Sequence, residues 1–135
     1  MLDTNMASAI IKGTSQPALR RLADTPTHDI AISVITEAEL LFGLAKNPAT
    51  KHAGAARAFL ATVTVMPWTS QTAAAYAQVR AELEAAGTPL KALDTLIAAH
   101  ARALGATLVT DDRAFRHVEG LVIESWLESD ISARD

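Results

Sequence analysis

The sequence has no cysteine, which excludes disulfides and thiolate metal sites and leaves only oxygen and imidazole donors for any metal. It has no apolar run long enough to cross a bilayer. The best candidate, residues 93 to 109, is interrupted by Asp94, His100 and Arg102. Met1-Leu2-Asp3-Thr4-Asn5 does not lead from a basic segment into a long apolar one, so no secretory signal is expected. The expected compartment is the cytoplasm, with no membrane partner. Positive charge is not in excess. Twelve Lys and Arg against fifteen Asp and Glu give a formal charge of −3, which opposes broad attraction to polyanions unless bound cations or a partner offset it locally. Three motif absences narrow the chemistry. There is no Gly-rich phosphate loop with its Lys-Ser/Thr, no Gly-x-Ser-x-Gly elbow and no His-Glu-x-x-His helix. Repeats and low-complexity tracts are also absent.

The chain has 135 residues, half of them apolar, enough for one domain with a real core. One domain over residues 1–128 is expected, followed by a polar C-terminal tail over 129–135. Short runs rich in β-branched residues at Met1–Leu2, Ile30–Ile32, Thr62–Met66, Thr107–Val109 and Leu121–Ile123 read as strands. Longer segments with helical spacing lie between them. This alternation predicts an α/β domain with a central, mostly parallel sheet of about five strands, flanked by helices on both faces. Ser15 with Pro17, Ser33, and Thr69 or Ser70 are suited to start helices, and the Ala-rich helix should end before Gly87. Thr88-Pro89 should open the next helix, with Gly105 closing it.

Four acids stand out against this frame. Asp3 follows the first apolar residues and should sit at the carboxyl end of the first strand, where open α/β sheets place their ligands. A helix cap is the other explanation, with Asp3 or Asn5 capping a helix from Met6. Glu39 falls on the helical stripe of Ile35, Ala38, Phe42 and Ala45, beside Ile35 and Phe42, where a buried carboxylate needs a partner. An edge position in water would need none. Asp94 lies in the apolar segment Lys91-Ala92-Leu93-Asp94-Thr95-Leu96-Ile97, too deep for simple capping if Pro89 is the first helical residue. A salt bridge to Lys91 is the structural explanation for it. Asp112 follows the strand ending at Thr110, with Asp111 beside it, and one Asp there is an ordinary turn former.

One pocket holding all four acids would account for them together. Clustered carboxylates repel and must take up protons or bind cations, and hard oxygen donors suit Mg²⁺ or Mn²⁺. Such an ion polarises a phosphoryl oxygen and lowers the pKa of a bound water, which is phosphodiester hydrolysis chemistry. His28, His52, His100 and His117 are scattered and expected in structural or surface roles. Trp68 and Trp126 read as packing rather than base-stacking platforms. The Ala-rich segment with Tyr76, Val79 and Leu83 reads as a packing surface, either within the chain or between subunits.

Five segments in order resemble the PIN-domain ribonucleases, and within them the VapC toxins of bacterial VapBC systems: Met-Leu-Asp3-Thr-Asn5, Ser33-Val-Ile-Thr36-Glu-Ala-Glu39-Leu-Leu-Phe-Gly43, Pro89 to Ala101 around Asp94, Leu108-Val-Thr110-Asp-Asp112-Arg-Ala-Phe115, and Gly120 to Trp126. The resemblance implies that Asp3, Glu39 and Asp94 are metal-binding and catalytic acids with Asp112 the fourth, Asp111 being its substitute. It implies that Asn5, Thr36 and Thr110 support these acids by hydrogen bonding. It also implies a Mg²⁺- or Mn²⁺-dependent endoribonuclease of single-stranded or looped RNA, often tRNA, leaving a 5′-phosphate and a 3′-hydroxyl. Expected partners are a second copy of the chain and a VapB antitoxin whose tail blocks the site, with operator DNA bound only through the antitoxin. Where related chains commonly have Ile-Gly after the proline, this one has Leu90-Lys91, and Lys91 is placed to contact substrate phosphate. The alternative is a noncatalytic PIN-like module that binds metal and serves as an assembly partner, whose mark would be a missing acid. A phosphatase using Asp3 as nucleophile is disfavoured because Asn5 replaces the second Asp of its Asp-x-Asp pairing.

Overall fold

Met1 and Leu2 send their side chains into different cores, and so do Leu108 and Val109, because successive strand residues face opposite sides of a sheet. The computed structural model describes residues 1–127; the expected boundary at residue 128 and the tail over 129–135 lie outside the described residues. Strand β1 (Ala31–Ser33) pairs in parallel with β2 (Thr64–Met66), and β3 (Leu108–Val109) pairs in parallel with β4 (Ile123–Glu124). Leu2 joins the two pairs through parallel bridges to Ile32 and Val109. Its amide donates to the Ala31 carbonyl at 2.9 Å, while the Val109 and Asp3 amides complete the ladder on the other side at 2.8 and 3.0 Å. The spatial order is therefore β2, β1, N-terminal segment, β3, β4. This is the expected parallel sheet, with its central strand reduced to little more than one bridging residue.

Six α-helices surround it among the described residues: α1 (Thr4–Lys12), α2 (Gln16–Asp24), α3 (Val34–Lys46), α4 (Ala53–Thr62), α5 (Ser70–Ala85) and α6 (Ala92–Leu104). One core gathers Val79 and Leu83 of α5 with Ile97, Ala98 and Ala101 of α6, plus Phe115 and Val118. The Ala-rich helix thus packs within the chain. The other core gathers Met6 and Ile10 of α1, Ala18 of α2 and Trp126, so both sheet faces are covered. The helix starts at Ser15, Ser33 and Thr69 are as expected, each hydroxyl accepting a backbone N–H from Ala18, Ile35 and Thr72 at 3.2, 3.0 and 3.2 Å.

Two expectations fail. Helix α6 begins at Ala92, not at Thr88-Pro89, and Lys91 is its extended cap residue, with φ −57° and ψ 151°. Leu90 packs against the α5–α6 core, which draws the chain out straight before the helix can start. The expected buried stripe of α3 is also wrong. Ala38, Phe42 and Ala45 face solvent, Phe42 being 67% exposed, and the fully buried residue of α3 is the polar Thr36. Of the expected stripe only Ile35 packs against a core, and the inward face of α3 is made by Ile35, Thr36 and Leu40 instead.

Candidate active site

The N-terminal segment and β3 are neighbours whose following helical elements lie on opposite faces of the sheet: α1 packs into one core and the Phe115 turn into the other. The chain therefore diverges just beyond Asp3 and Thr110, leaving a crevice outside the carboxyl ends of two adjacent parallel strands. Asp3 is both the strand-end acid and the cap of α1. Its Oδ1 accepts from the Met6 amide at 2.7 Å and its Oδ2 from the Thr110 hydroxyl at 2.6 Å. Strand-end acid and helix cap are thus one role, not two. The Thr110 hydroxyl also accepts from the Asp112 amide at 3.0 Å, so one side chain ties two acids together. Asp112 in turn caps a 3-10 turn over Arg113–His117, its Oδ1 accepting from the Ala114 amide at 2.9 Å.

Glu39 is half-buried on α3, and its Oε1 accepts from the Thr4 hydroxyl at 2.8 Å. Thr4 has one hydroxyl proton and gives it to Glu39, so Thr36, 3.1 Å away, donates to Thr4. Asp94 is not deep in its helix. With α6 starting at Ala92 it lies in the first turn, where the amide ends of the helix favour negative charge. Asp3, Glu39, Asp94 and Asp112 line one opening of about 310 Å³, with Thr4, Asn5, Lys91 and Phe115 completing the wall. Asn5 is exposed at the rim, and among the described residues no hydrogen bond runs from its side chain to an acid. Asp111 stands outside this opening and accepts from the Ser125 hydroxyl at 3.2 Å.

The charges in the opening are uneven, with Lys91 the single basic wall residue among the described residues, against four acids. Burial pushes the Asp3 carboxyl above its usual range; the Thr110 and Met6 hydrogen bonds pull against this, and the Asp94 and Asp112 charges add to it. Asp94 is raised first by burial, then by Asp112 and Glu39, with Lys91 opposing. Among the described residues no three such side chains already converge on a point where an ion would sit. Each carboxylate oxygen of Asp3 keeps a free lone pair beyond its one hydrogen bond, so the donor chemistry still suits a hard divalent cation.

Two supports carry no signal in the sequence. Thr4 is one, because only the fold brings it to Glu39, 35 positions away. His100 is the other. It is fully buried, and its Nδ1 lies 2.7 Å from the Ser33 hydroxyl, linking α6, which carries Asp94, to the cap of α3, which carries Glu39. Its Nε2 meets no hydrogen-bond partner of good geometry among the described residues, and burial pulls the imidazole pKa down, the Pro67 backbone opposing. Trp68 lies edge-on to His100 at 5.4 Å, and Trp126 is buried, both in the packing roles expected.

Residues 1–121 match the family described as PIN domain. The tRNA(fMet)-specific endonuclease VapC of Salmonella typhimurium is 34% identical over 128 residues, spanning 93% of this chain and 96% of that protein. The chain belongs to the VapC family of PIN domains. Ribonuclease VapC of Haemophilus influenzae is 33% identical to this PIN domain over 129 residues, covering 94% and 97% of the two chains. The crystal structure of VapBC2 from Rickettsia felis, bound to a DNA fragment from its promoter, superposes with a TM-score of 0.82 at 33% identity, covering 93% and 97%. No helix of this PIN domain is long and apolar enough to cross a membrane among the described residues.

Proposed function

We propose that this PIN domain is the toxin of a toxin–antitoxin pair, a Mg²⁺- or Mn²⁺-dependent endoribonuclease acting in the cytoplasm. The observation that carries the reading is the single opening lined by Asp3, Glu39, Asp94 and Asp112 at the switch point of the sheet. VapC relatives named as ribonucleases, one of them specific for tRNA(fMet), support the reaction class and make tRNA the first substrate to test. The four acids would hold the ion, which when bound polarises a phosphoryl oxygen and lowers the pKa of its water.

The rest of the work falls to the chain. Asp3 is fixed by its two hydrogen bonds and cannot swing away. Thr4 aims Glu39, and Thr110 fixes the backbone of Asp112 relative to Asp3. Lys91, at the rim one turn from Asp94, offers the positive charge that a substrate phosphate meets on entry. Asp112 rather than Asp111 is the fourth acid, since Asp111 faces a different groove. Structures of VapBC complexes on DNA support a VapB-type antitoxin as partner, with operator DNA reached through it, and the chain is expected to pair with a second copy.

The test is induced expression of wild type and Asp94→Asn, with growth followed and total RNA mapped for new 5′ ends. Wild type should arrest growth and produce discrete ends that the variant does not. Soluble wild-type protein giving neither would instead identify a noncatalytic partner module.

A further inference from the structure

The acid opening does not end at Asp112. On the far side of that residue lies a second groove of about 320 Å³, lined by Thr110, Asp111, Arg113, Arg116 and Ser125, so that Asp112 is a wall common to both. Arg113 and Arg116 belong to the same 3-10 turn, and with three residues per turn side chains at i and i+3 fall on one side. Both are exposed. Most other arginines of the described residues are engaged: Arg21 with Glu124, Arg80 with Glu84, Arg102 with Glu82. Arg113 and Arg116 form no ion pair among the described residues, although two carboxylates share their groove. Those carboxylates are turned to other donors, Asp111 to Ser125 and Asp112 to the Ala114 amide.

We propose that Arg113 and Arg116 form a phosphate subsite that holds the RNA backbone phosphate next to the one placed among the acids. This rests on the ribonuclease reading above and gives the strand a path across Asp112. The physical need is clear from the charges. A chain of net charge −3 with four acids in its site repels an incoming polyanion, and planar guanidinium groups beside the site supply bidentate phosphate binding where it is wanted.

The experiment uses the full chain carrying Asp94→Asn, so that RNA is not consumed, with a labelled mixed-sequence single-stranded RNA bound over a range of salt concentrations. Adding Arg113→Ala and Arg116→Ala should weaken binding at low salt by roughly tenfold or more and reduce the slope of log affinity against log salt by about 0.7, the value for the one phosphate the two arginines share. Replacing both by Lys should keep the slope and recover part of the affinity, whereas Arg57→Ala on α4 should change neither. Unchanged affinity and slope in the double Ala variant, with its circular dichroism unaltered, overturns the subsite alone. Loss of antitoxin binding with RNA binding intact overturns it as well. Failure of the parent protein to bind RNA, together with no cleavage by wild type, overturns the ribonuclease reading and the subsite with it.

Discussion

Thr110 carries one hydroxyl and uses it twice, donating to Asp3 at 2.6 Å and accepting from the Asp112 amide at 3.0 Å. Thr110→Val keeps the shape and removes both bonds. A buried acceptor left without its donor costs about 1 to 3 kcal/mol, and loss of an outer support of a metal site costs about 10- to 100-fold in activity or metal affinity. We therefore expect denaturant unfolding to show a loss in that range and RNA cleavage to fall by one to two orders of magnitude, with the fold retained. Wild-type cleavage by the Val variant would show that Asp3 holds its place without Thr110. At this scale the sequence is readable where chemistry is local. Asp3 ends a strand and begins a helix, and Asp112 lies shortly after β3 and begins a 3-10 turn, so strand-end acid and cap point to the same residues and either reading finds them. Thr4, Ser33 and His100 act across 35 and 67 positions, and no local pattern shows a hydroxyl which partner the fold will bring.

Helix α6 sets where Asp94 stands, and both its ends matter. Its start is hidden in the sequence because Pro89 looks like a first helical residue, while the packing of Leu90, a tertiary effect, keeps the chain extended to Lys91. The apolar pattern of α3 misleads for a related reason. Periodicity reports which residues share a face, not whether anything covers that face, and here nothing among the described residues covers Phe42. Helix starts at Ser15, Ser33 and Thr69 are legible because a cap bond closes within three residues. The end of α6 is legible too: Gly105 has φ +63°, and its amide donates to the carbonyl of Arg102. A Cβ there meets no atom within 4 Å, so Gly105→Ala tests backbone strain alone. It should cost about 1 to 2 kcal/mol in unfolding free energy and leave cleavage per folded molecule unchanged. A change in kcat at a temperature where the variant is fully folded would mean that the far end of α6 reports to Asp94.

Over the whole molecule, a negative chain concentrates four acids in one crevice, and this makes site and stability oppose each other. Asp3 and Asp94 both have folded-state pKa values raised above their unfolded ones. In the interval between the two values the folded state holds more protons, so stability falls as pH rises through it, and the deficit persists at neutral pH. His100 works in the opposite sense, since burial lowers its pKa and the unfolded chain takes up the proton first as pH falls below the ordinary imidazole range. Overall pH dependence therefore mixes the two, and the difference between wild type and Asp94→Asn separates them. As a first-turn acid Asp94 gains about 0.3 to 1 kcal/mol from its helix, which the substitution forfeits. Against that gain stand burial, which is the main cause of its raised pKa, and the repulsion from Asp112 and Glu39 that adds to it. Asp94→Asn should accordingly be more stable than wild type in metal-free buffer at neutral pH, with the gap closing on acidification. Added Mg²⁺ should raise the melting temperature of wild type more than that of the variant, because the cation relieves the repulsion that the substitution has already removed. If Asp94→Asn melts lower than wild type at neutral pH without metal, Asp94 is held there for its helix, and the acids do not compete in the way the crevice implies.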